Sequence, residues 1–117
     1  MNYIGIDIHK RYSVCAAQDE RGRELGIARV EGNLVSGFAQ FLGALGGKAT
    51  VVLEACWNWG RVYEVLESLE MVEEVVVANP LKTRLIAQAQ VKTDKVDARA
   101  LAMLLRGGLI SRAHVPC

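Results

Sequence analysis

The stretch Val91–Leu105, VKTDKVDARALAMLL, puts two aspartates where an amphipathic helix buries leucine. At the helical step of about 100° per residue, Asp94, Asp97, Leu101, Leu104 and Leu105 fall on one side, and Lys92, Lys95 and Arg99 on the other. The two carboxylates prolong the stripe that faces the protein body. A carboxylate placed there must be paired, protonated or bound to a metal. What it faces depends on the strands that come before it, and those strands define the fold.

In NYIGIDI, Ile4, Ile6 and Ile8 alternate with Gly5 and Asp7, the period of a strand. YSVCAAQ follows after a short break, and DERG turns into ELGIARV, which predicts an antiparallel meander of three strands. Leu34, Phe38, Phe41, Leu42 and Leu45 recur at helical spacing until Gly46 and Gly47 stop them. ATVVLEA is apolar on both faces, as a covered parallel strand is. Asn58 can cap a helix through Val62, Leu66 and Leu69, EEVVVA reads as a further strand, and Asn79 with Pro80 opens the next helix. Thr93 can cap the last helix, which stops at Gly107 and Gly108. The expected order is βββαβαβαα: an α/β fold with a mixed five-stranded sheet and helices packed on it, the order of the ribonuclease H fold.

In that topology the first and fourth strands are neighbours, which brings Asp7 and Glu54 together at adjacent strand ends. Asp7 lies on the same side of its strand as Gly5, which has no side chain and so leaves room for a ligand. Asp94 and Asp97, three residues apart, share one helical face. Four carboxylates do not stay ionised together without cations. Magnesium takes carboxylate, water and phosphate oxygens, and as a pair of ions it stabilises attacking and leaving oxygens in phosphoryl transfer. Each acid also has a plainer account. Asp7 can form a strand-end turn, Glu54 can pair with Arg61 or Lys92, and Asp94 can complement a helix dipole for about 0.3–1 kcal/mol. That last account is weaker for Asp97, one turn further on.

Charge is unevenly spread. Up to Ala78 there are seven Lys/Arg against eleven Asp/Glu; from Asn79 onward there are seven against Asp94 and Asp97 alone. A basic segment holding inward carboxylates fits a polyanion brought to a metal, although a charge run is also simply a solvated face. Lys10, Arg84, Lys92, Lys95 and Arg99 are the candidate nucleic-acid contacts. Trp57 and Trp59, just after Glu54, either close the end of the core or stack on bases. His9 reads as structural or as a support to Asp7, and His114 has no assigned role.

With 117 residues, 51% of them hydrophobic, the chain is expected to form one domain, residues 1–117. No apolar run approaches the roughly 20 residues that span a membrane, and MNYIGID is not a signal peptide. Cys15, Cys56 and Cys117 are odd in number and widely spaced, so neither a disulfide framework nor a zinc site is expected. A cytoplasmic protein is the expectation.

YIGIDIHK, VVLEA, VVVANP and KTDKVDARALA closely resemble, in order and spacing, the amino-terminal RuvC-like domain of the DEDD transposases of bacterial insertion sequences, whose recombinase works with a bridge RNA. The likeness covers nearly the whole chain. It implies that Asp7, Glu54, Asp94 and Asp97 are catalytic acids binding Mg2+ or Mn2+ as two ions. It also implies metal-dependent DNA cleavage and strand transfer in transposition. The implied partners are DNA, a guide RNA and a carboxyl-terminal domain bearing a nucleophilic serine, which is not in this chain; the full-length protein is expected to be a homo-oligomer in the bacterial cytoplasm. Two other readings stay open, a Holliday-junction resolvase-like nuclease and a non-catalytic nucleic-acid-binding fragment. An ATPase of the actin and sugar-kinase type needs glycine-rich phosphate loops that IDIHKRYS does not supply.

Overall fold

The alternation around Ile4 and Ile6 makes β1 (Asn2–Ile8) the central strand of the sheet, with both isoleucines buried on one face. β2 (Tyr12–Gln18) and β3 (Glu24–Glu31) complete the antiparallel meander; β4 (Ala49–Glu54) and β5 (Val72–Ala78) lie on the other side of β1, parallel to it. The strand order is β3-β2-β1-β4-β5, the ribonuclease H-like arrangement expected from the element order. This computed structural model describes residues 1–56, 59–92 and 96–113. The expected Asn58 and Thr93 caps, Trp57, Asp94 and Lys95 therefore lie outside the described residues.

The two sheet faces are covered differently. Ile4, Ile6, Val51 and Leu53 point to the face packed by Phe38 and Leu42 of α1 (Val35–Leu45) and by Val62 and Leu66 of α2 (Trp59–Glu67). The opposite face carries Val52, Val76 and Ala78, packed against Leu101 of α4 (Ala98–Arg106). Between β5 and α4 run α3 (Pro80–Ile86) and a π-helical turn, Ala87–Val91, that ends at Lys92 in the left-handed conformation with φ 56°. The Asn79 side chain caps α3, its Oδ1 accepting from the Lys82 amide at 3.1 Å with Pro80 following, as the sequence predicted. Beyond α4 the chain returns to the β5 edge, where the Ala113 amide donates to the Val77 carbonyl at 2.7 Å and Asn79 to Ser111 at 2.8 Å. This covers part of an otherwise open strand edge.

One expectation about the last helix is corrected. α4 starts at Ala98 and its cap is Asp97, not Thr93: the Asp97 backbone is extended and its Oδ1 accepts from the Ala100 amide at 2.9 Å. Asp97 is consequently the cap of that helix and not a position on its face. An aspartate can satisfy the first free amides of a helix as soon as the backbone permits, so the apolar period continuing upstream of it did not extend the helix. Downstream the periodicity holds, with Leu101 and Leu104 buried.

A second correction concerns Gly5. Its missing side chain does not leave space for a ligand; it lets α4 rest directly on β1. A Cβ at Gly5 would overlap the Ala98 carbonyl oxygen and stand 2.6 Å from the Ala102 nitrogen and 2.9 Å from the Leu101 Cβ. Ala98 and Ala102, both buried and one turn apart, supply the small surface on the helix side. Gly5→Ala must push α4 outward against backbone that has no flexible end to move. It is expected to destabilise the fold by about 3 kcal/mol, seen in thermal melts as a fall in Tm of roughly 10 °C. An unchanged Tm would show that α4 does not seat on Gly5.

Candidate functional site

Three of the four predicted acids are described, and all lie on the α4 side of the sheet. In β1, Asp7 is two residues beyond Gly5 and so on the same face; in β4, Glu54 is two residues beyond Val52, the register partner of Gly5. The last registered pair between these strands is Ile6 with Leu53, and Asp7 and Glu54 come next on each strand. The third acid, Asp97, is brought up by the seating of α4 on Gly5. Asp7 and Asp97 line one cleft of about 340 Å³, together with Ala98 and Arg99. Glu54 opens onto a neighbouring cleft of about 320 Å³, shared with Arg84, Gln88 and Val96. Among the described residues no group of three Asp, Glu, His or Cys is close enough to hold a metal by itself.

The electrostatics of the pair are unbalanced. Burial pushes the Glu54 carboxyl above its ordinary value of 4.5, the Asp7 carboxylate pushes it further, and only Arg84 acts against them. Neither Arg61 nor Lys92 pairs with Glu54; among the described residues no ion pair closes on it. Among the described residues Asp7 is paired with His9, whose Nε2 lies 3.0 Å from Oδ2. At Asp97 the cap engages Oδ1. The site thus holds carboxylates whose mutual repulsion the described side chains do not neutralise.

His9 is oriented from several sides. Its ring stacks on Tyr12, centroids 4.5 Å apart and planes within 14°, and the Arg29 guanidinium carbon sits 3.5 Å over the Tyr12 ring. Arg29 itself pairs with Glu31. The His9–Arg11 turn is tied down by buried Asn33, whose Nδ2 donates to the His9 carbonyl at 3.2 Å while Ser13 donates to its Oδ1 at 2.5 Å. Of these residues the sequence singled out only His9, as structural or as a support to Asp7, and its Nε2 does lie against that carboxylate. Tyr12 and Arg29 carried a faint signal: strand alternation puts Tyr12 on the same face as Val14, the partner of Asp7, but only the hairpin register shows that Arg29 joins them.

The basic candidates are dispersed. Lys10, Arg84 and Lys92 are exposed. Arg99 is exposed too, but its Nε donates to Glu24 at 2.7 Å, so a phosphate has to compete for it. Trp59 does not present a free ring: it packs against the α1–α2 core, edge-on to Tyr63 with centroids 5.7 Å apart.

The strand order defines the class of the protein, a ribonuclease H-like domain. The family model of IS110-type DEDD transposases, described as a transposase, matches residues 4–115, and the chain belongs to that family. No curated protein matches the chain. Among the described residues no helix is long and apolar enough to cross a membrane.

The raised Glu54 carboxyl sets a pH dependence. A carboxyl raised in the folded state contributes stability that is complete below its ordinary value of 4.5 and is lost as pH rises through the folded value. Glu54→Gln, neutral throughout, is expected to melt above the wild type at about pH 8 and to lose that advantage near about pH 3.5. Melts in metal-free buffer across this range test it; a variant less stable than the wild type at the upper pH would overturn the assignment.

Proposed function

We propose that this chain carries the acidic half of a DNA cleavage and strand-transfer centre, in which Asp7, Glu54, Asp94 and Asp97 hold Mg2+ or Mn2+, as two ions. The observation that carries this is the repulsion between Asp7 and Glu54 at adjoining strand ends, only partly offset by Arg84, which together with burial raises the Glu54 pKa. A cation relieves that repulsion. The donor set also suits a hard ion, since it is made of carboxylate oxygens. Bound there, divalent metal would polarise a phosphodiester and stabilise the charge on attacking and leaving oxygens.

The chain's own groups do the positioning. The Ala100 amide holds Asp97 through Oδ1 and fixes where the other oxygen can reach. His9 engages Oδ2 of Asp7 and limits its rotation. Arg84, exposed and close enough to Glu54 to lower its pKa, is placed to meet a phosphate arriving at the acids. Lys10 and Lys92 extend the positive surface, with Lys95 and Arg99 as further contacts, because backbone binding requires only positive charge along the path. DNA is the substrate in this reading. The guide RNA, the serine-bearing carboxyl-terminal domain and assembly of the full-length protein into a homo-oligomer complete it.

Calorimetry with Mn2+ tests the shared site. Asp7→Asn and Asp97→Asn are each expected to weaken binding at least about ten-fold, since a carboxylate that would touch the ion is lost while its shape is kept. Asparagine caps a helix as well as aspartate does, so Asp97→Asn should keep its Tm, whereas Asp97→Ala should lose about 1 kcal/mol. Equal metal affinity in wild type and both asparagine variants would sink the site. For the nucleic-acid surface, Ala at Arg84 and Lys92 together should weaken duplex binding and flatten the slope of log K against log salt by up to about 2. An unchanged slope would remove these two residues from the path of the DNA.

A further inference from the structure

Among the described residues α4 covers β1 and part of β2, and toward β3 the same sheet face is left partly exposed. Here Val14 and Ile27 form an apolar floor, with Ile27 44% exposed although it lies on the sheet. His9 and Tyr12 form one wall and the start of α4 the other; Asp7 and Asp97 stand at the mouth. The volume, about 340 Å³, is that of one nucleotide rather than of a helix or a duplex.

The wall is pre-formed. His9 stacked at 4.5 Å and the Arg29 carbon at 3.5 Å do not fit together over one face of a phenol ring, so Tyr12 is the middle layer of an Arg29–Tyr12–His9 column. His9 ends the column, with its side chain 42% exposed and its edge fixed on Asp7. The two cations at the rim are already matched, Arg29 by Glu31 and Arg99 by Glu24. Among the described residues the cleft therefore offers flat apolar and aromatic surface without an unpaired positive charge. A neutral planar ring suits it, and an anionic group does not.

We propose that this cleft receives an unpaired nucleobase of the DNA strand, next to the phosphate presented to Asp7 and Asp97. Base–aromatic stacking is tolerant of sequence and strong enough to hold one extruded base. Seating it here anchors the strand on one side of the acids while Arg84 meets the backbone on the other. The inference rests on the proposed nucleic-acid function, but it needs no metal to be bound.

Single-stranded DNA with one 2-aminopurine moved stepwise along it, titrated with the 117-residue chain in EDTA, tests the cleft. One position, or two adjacent ones, should lose fluorescence at least about two-fold more than the others, as expected of stacking at a single site. Tyr12→Phe should keep this pattern and Tyr12→Leu should lose it. Because Tyr12→Leu can disturb the fold, Ile27→Arg at the exposed floor is the second variant. Its long side chain fills the cleft and should abolish the position-specific loss, while its added charge keeps overall DNA affinity at or above the wild-type level. Position-independent quenching in the wild type, or a pattern that survives Ile27→Arg, overturns the base site and leaves the wider nucleic-acid reading standing. Failure to bind any oligonucleotide overturns both.

Discussion

The contact between Gly5 and the first turns of α4 is the constraint on which the site depends. A side chain at Gly5 would hold the first turns of α4 away from β1, because its Cβ would overlap the Ala98 carbonyl oxygen. With no Cβ at Gly5 and only methyl groups at Ala98 and Ala102, backbone meets backbone. The N-terminus of α4 is then carried to the level of Asp7, two residues further along the same strand. Asp97 caps that terminus and is delivered to the acids by packing, not by its own chemistry.

The arrangement of the acids costs stability. Glu54 is partly buried beside another carboxylate, and Arg84 offsets only part of the resulting penalty. A protein selected for stability alone would place a neutral side chain at the end of β4, since Val51, Val52 and Leu53 before it are fully buried. Under the proposed function this penalty is relieved by a positive partner at the acids. The transposase family to which the chain belongs acts on DNA, and a cation shared by acids and phosphate meets both requirements.

Around this centre the β1–β2 turn works as a rigid bracket. Asn33, in the left-handed conformation with φ 51°, joins the end of β3 to the His9 carbonyl and to Ser13, tying three parts of the chain by buried hydrogen bonds. Such networks are costly when incomplete and specify one geometry when complete. The bracket holds His9 against Tyr12 on one side and Asp7 on the other, so an aromatic surface and a carboxylate are presented in fixed relation. Aromatic stacking is thereby displaced from Trp59, which serves the core, to residues that look ordinary in the sequence.

The element order was legible in the sequence because it is written in local periods: alternation through Ile4, Ile6 and Ile8, helical spacing through Phe38 and Leu42, unbroken apolar residues in Val51–Leu53. Those periods also placed Asp7 and Glu54 at strand ends, and the topology they imply set β1 beside β4. The beginning of α4 was not legible, because Asp97 fits either a helical face or a cap, and the choice depends on backbone geometry that a residue pattern does not carry. Nor was the use of Gly5, for which an absent side chain reads equally as room for a ligand or as room for a helix. The Arg29–Tyr12–His9 column and the Glu54–Arg84 field join residues from separate elements. Hydrophobic periodicity determines which face of each element is buried; the distances between elements, on which burial of charge, stacking and close approach all depend, are decided only when the elements pack.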